Sequence, residues 1–184
     1  PPPDYIDFSA LASREFNCLS FGEGIYAGPG PSARLEEKEV NRIINTINNY
    51  PQLKALSCGL GCPDKKITIT KFTNASSYGG FAPSARPGNV ILYQHTFTRY
   101  GDQTFAYLLA HELAHNLDWF NSPIATGFES LGCSGVPSTY KFAGNPSESF
   151  AESVALYLIG HPEARSYCGG RAFSYLNQEF SQCR

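Results

Sequence analysis

In His111-Glu112-Leu113-Ala114-His115 two imidazoles stand four residues apart, the spacing at which helical side chains share a face and can grip one divalent ion. Glu112, beside the first of them, becomes a candidate base for water held by that ion. A catalytic zinc site of this kind takes three protein ligands and keeps a fourth position open. The chain should therefore supply another donor downstream. Glu148 is the best candidate, because Asn145-Pro146 starts a helix and places it in the first turn, with Glu152 one turn later on the same face. Glu148 would bind the metal, and Glu152 would accept a hydrogen bond from the far nitrogen of a ligating histidine.

Other candidates are weaker. Asp118, three residues after His115, reads as an outer partner of the histidines, since a third ligand on the same helix would have to bend back toward the metal. Glu129 is a minor contender with no helical setting to aim it, and His95 and His161 read as surface or loop histidines. Tyr140 is the candidate second donor to the oxyanion of a tetrahedral intermediate. Zinc would bring its bound water toward a pKa of about 7 and let Glu112 take the proton as a carbonyl is attacked.

The segments His-Glu-Leu-Ala-His-Asn-Leu-Asp at 111–118, Tyr140, and Glu-Ser-Phe-Ala-Glu at 148–152 resemble the gluzincin metallopeptidases, most closely the pattern of the anthrax lethal factor catalytic domain and the clostridial Pro-Pro endopeptidases. The resemblance covers the metal helix and the ligand helix after it. It implies Glu148 as third ligand, Glu152 as its outer partner and Tyr140 as oxyanion donor, with a substrate strand pairing on a sheet edge; residues 77–82, with their two glycines, read equally as that edge or as an ordinary glycine-rich hairpin. Tyr140 lies one residue further from the ligand than that pattern has it, and six cysteines are foreign to those bacterial proteins. A separate secreted eukaryotic, fungal zincin family is the alternative.

These side chains need elements to hold them. Phe105, Leu108, Leu109, Leu113 and Leu117 make an apolar stripe that predicts a helix over 103–120, capped by Asp102. Alternation and β-branching predict strands over 67–72 and 89–94, with a shorter one over 77–82. Leu35, Val40, Ile43, Ile44 and Ile47 predict a helix after Ser32 that ends at Tyr50-Pro51. Helices are also expected over 145–159 and 171–182 and, beginning at Asp7, through Phe16. Glycine, serine and proline predict loops over 21–31 and 121–144. The fold class expected is α+β: a zincin-like metallopeptidase fold, with a small mixed sheet packed on the metal helix and a mainly helical C-terminal part. Residues 1–184 form one catalytic domain, with sheet and metal helix in 1–120 and the third ligand in 121–184.

Composition narrows the partners. A formal charge of -2 without a basic cluster speaks against nucleic acid, and no apolar run is long enough for a membrane. Six cysteines, no methionine and the sequon at Asn74 point to a processed, disulfide-bonded, glycosylated secreted chain. Cys58–Cys62, Cys168–Cys183 and Cys18–Cys133 are the expected pairs among fifteen possible connectivities. The expected function is a secreted, monomeric zinc endopeptidase with a peptide or protein substrate. The alternatives are a catalytically silent zincin-fold binding or effector module and a non-peptide metallohydrolase.

Overall fold

A computed structural model describes residues 19–21, 32–50, 52–53, 56, 67–73, 78–84, 87–120, 122–135, 137 and 145–181. The alternating, β-branched run Ile67–Phe72 forms the central strand of a mixed sheet. In chain order the strands are β1 (Leu19–Phe21), β2 (Ser32–Ala33), β3 (Ile67–Phe72), β4 (Gly80–Phe81) and β5 (Asn89–Tyr93). β1 and β5 flank β3 in parallel, with Leu19 opposite Ile67 and Val90 opposite Ile69. β2 pairs antiparallel with the end of β3, and β4 pairs antiparallel with β5, so that β4 closes the order β1-β3-β5-β4. Ile67, Ile69, Val90, Ile91 and Leu92 are fully buried, as strands covered on both faces require.

Helix α1 (Glu37–Asn49) joins β2 to β3 and buries Val40, Ile43 and Ile47. It begins after Glu36 because a capping box forms there, with Glu39 accepting from the Glu36 amide at 2.8 Å. Glu39 also takes the ammonium of buried Lys71 on β3 at 2.8 Å, which leaves neither charge unpaired. After the short α2 (Thr96–Arg99), α3 (Asp102–Trp119) carries the histidine motif. Gly101, not Asp102, is its cap; Asp102 lies in the first turn, where the helix dipole favours a carboxylate. Asn116 on α3 is wholly buried, accepting from the Gly88 amide at 2.7 Å and donating to the Asn89 carbonyl at 3.2 Å. The metal-motif helix is thereby fixed to the start of β5.

The expected loop over 121–144 contains a helix, α4 (Pro123–Glu129), whose Ser122 side chain accepts from Ala125 N at 3.2 Å. Ser-Pro is the same kind of start signal as Asn-Pro at 145–146, although the glycines and serines downstream favour a loop. Helix α5 (Pro146–Leu158) begins as expected on Asn145 and ends before Gly160, whose φ of +71° only glycine adopts without strain. Two 3₁₀ turns, Pro162–Arg165 and Tyr167–Gly170, lead into α6 (Arg171–Ser181). One core runs from Leu19 on β1 to Phe180 on α6, and the described chain is mixed α/β.

A disulfide joins Cys133 to Cys168, 35 residues apart with a Cα–Cα distance of 5.5 Å. It replaces both expected pairs that used these residues, Cys168–Cys183 and Cys18–Cys133. The pairing follows tertiary contact: α4 packs against α6, which brings the segment after one helix to the turn before the other. Cys18, Cys58, Cys62, Cys183, Asn74, the expected helix from Asp7 and residues 22–31 lie outside the described residues. No helix among the described residues is long and apolar enough to cross a membrane.

Candidate metal centre

The last turns of α3 face the first turns of α5, and the two helices divide the donors between them. From α3, His111 and His115 turn their Nε2 atoms together, 3.1 Å apart. From α5, Glu148 brings Oε2 to 3.2 Å from His111 Nε2 and Oε1 to 3.4 Å from His115 Nε2. The three ligand atoms lie within 4.8 Å of one another and can hold a metal ion. Two imidazoles and one carboxylate are the donor set of an open, catalytic type of site. Glu148 Oε2 is shielded from solvent without a well-directed hydrogen bond among the described residues, as suits an oxygen kept for an ion.

Outer groups set both rings. Glu152, almost fully buried, places Oε2 3.3 Å from His111 Nδ1, and the Tyr107 hydroxyl donates to that same oxygen. Ser147 Oγ stands 3.1 Å from His115 Nδ1. Trp119 stacks on the His115 ring at 5.4 Å with the planes 5° apart. The Ser147 contact at His115 Nδ1 and the Glu152 carboxylate beside His111 Nδ1 orient the rings, and each Nε2 is directed at the centre.

Glu148 and Glu152 thus meet the histidines as their spacing foretold. For Asp118 no contact with either histidine is seen among the described residues, and Ser147 stands at His115 Nδ1. Glu129 is exposed at the end of α4, His95 stacks on Tyr93, and His161 caps a 3₁₀ turn. Tyr140 lies outside the described residues. Tyr107 stands four residues before His111 on the same helix, a spacing that puts it on the histidine face, whereas Ser147 reaches His115 only through the packing of two helices and has no signal in the sequence. Comparison of the chain with protein-family models and with curated proteins finds no match.

Charge accounts for the way these groups draw together. Burial pulls the His111 pKa down, but the carboxylates of Glu148 and Glu152, which accept from the protonated ring, outweigh it together with the charge of Glu112 and raise the value to about 10. Burial pushes Glu148 up, and the two histidines more than offset this, holding it well below the usual carboxylate range. Glu112 moves upward because its burial outweighs the favourable charges of His111 and His115, with Glu148 adding repulsion.

A raised histidine stabilises the fold fully below its unfolded value of 6.5 and loses that contribution as pH climbs through about 10. A lowered glutamate contributes above 4.5 and loses its contribution as pH falls toward the lower folded value. Raised Glu112 acts in the same direction as His111, costing stability as pH rises above 4.5. Chelator-treated protein should therefore lose Tm between pH 6.5 and 10. Scanning calorimetry checks this; a Tm that climbs over that interval contradicts the pairing.

Proposed function

We propose that this protein is a secreted zinc endopeptidase with a zincin-type fold. The observation that carries the reading is a buried glutamate, Glu112, next to a His111, His115 and Glu148 donor set assembled from two helices. Zinc fits two imidazoles and a carboxylate better than magnesium or calcium, which favour all-oxygen sites. Bound there, it would supply Lewis acidity toward water and toward a scissile carbonyl.

The chain's own groups do the rest. The Glu112 carboxylate, biased by burial toward holding a proton, takes one from the attacking water and returns it to the leaving amine. Glu152, Tyr107 and Ser147 keep the imidazoles oriented. Among the described residues β4 ends the strand order, beside Glu112 on α3. The Cys133–Cys168 disulfide supports an oxidising compartment. A silent binding module has no use for a buried base beside its metal ligands.

A peptide library incubated with the purified protein tests the reading. Cleavage should disappear with chelator and return with added zinc. Turnover of small esters or amides but no peptide favours a non-peptide metallohydrolase. Zinc retention with no turnover of either favours the silent module.

A further inference from the structure

Glycines 79 and 80 in the edge segment invite the idea that a foreign backbone approaches there, yet both turn their bare Cα toward the protein's own helix α3. A Cβ built on Gly79 would stand 2.5 Å from a methyl of Leu108, and one built on Gly80 would stand 2.7 Å from Glu112 Cγ and 3.1 Å from Oε1. Leu108 and Glu112 are one helical turn apart, so the two glycines lie across successive turns of α3.

The segment cannot easily back away. The Gly79 carbonyl accepts from the Tyr93 amide at 3.1 Å and from the hydroxyl of wholly buried Thr96 at 2.5 Å, while Gly80 and Phe81 are in register with Leu92 and Ile91 of β5. Two residues past Gly80, the Ala82 amide faces the Glu112 carboxylate and favours its charged form. Backbone thus bounds the Glu112 side chain both at its stem and at its head.

We propose that Gly80 is a positioning residue for Glu112: the missing side chain lets β4 seat against the glutamate, so that its carboxylate has one place to lie beside the metal ligands. The proposal rests on Glu112 acting as the base. A methyl group at position 80 forces either the held strand or the Glu112 stem to shift, and a displacement on the order of 1 Å at a reacting group costs about 100-fold in rate.

The test is a double-mutant cycle read in two ways. Gly80→Ala should lower Tm by about 2–4 °C in the wild-type background and much less in a Glu112→Ala background, where the space beside position 80 is vacated. Additive shifts overturn the proposal. On a cleaved peptide, Gly80→Ala should lower kcat by about 10- to 100-fold with KM and zinc content unchanged. An unaltered kcat, or a loss confined to KM, likewise overturns it. If the wild-type protein cleaves nothing, the endopeptidase reading fails by itself, and the Tm cycle still decides whether Gly80 seats Glu112.

Discussion

Glu112→Gln is expected to lower kcat/KM for a cleaved peptide by about 100- to 10,000-fold, the span of a general base's contribution, while the protein keeps its metal. The substitution is close to isosteric, so Gly80 still has the same stem against it, and the amide oxygen can still face the Ala82 backbone. None of the donors His111, His115 and Glu148 is altered. What goes is the ability to accept a proton. The fold should not suffer, because burial already works against charge at this position, and a neutral amide removes that cost. Steady-state kinetics with metal content measured on the same sample gives the answer: unchanged turnover places the base elsewhere, and lost metal together with lost turnover would make Glu112 part of the binding set instead.

The sequence revealed most where one local rule decides the outcome. Ile67–Phe72 and the start of α5 at Asn145-Pro146 appear within a residue of their expected places, because β-branched alternation and an Asn cap followed by proline each specify a local backbone state. The histidine pair and Glu148 were legible because a helix turns spacing into direction. Ser122-Pro123 is a start signal too, but the glycines and serines around it predict a loop where α4 forms. What sequence could not carry was contact between elements. Ser147 reaches His115 because α5 packs on α3, and Cys133 meets Cys168 because α4 packs on α6. Gly79 and Gly80 were conspicuous as residues, but only the sheet's placement on α3 shows that their bare faces lie against Leu108 and Glu112.

Removing Glu148 separates two roles that its position allows, ligand and counter-ion to protonated His111, because they predict opposite signs. In the metal-free site His111 is raised to about 10, with the Glu148 bond the largest of the effects that raise it. Metal binding near pH 7 must therefore expel a proton. If Glu148 were only a counter-ion, Glu148→Ala would lower the His111 pKa, ease that expulsion and tighten metal binding. If it is a ligand, the lost donor dominates. Outer-partner substitutions weaken metal binding by about 10- to 100-fold, and loss of a direct carboxylate ligand should exceed that. Calorimetric titration with zinc in buffers of different ionisation enthalpy reads both effects together: the expected result is affinity down by more than about 100-fold and fewer protons released per metal bound. Tighter binding with reduced proton release would reassign Glu148 as a counter-ion and send the search for the third ligand elsewhere in the chain.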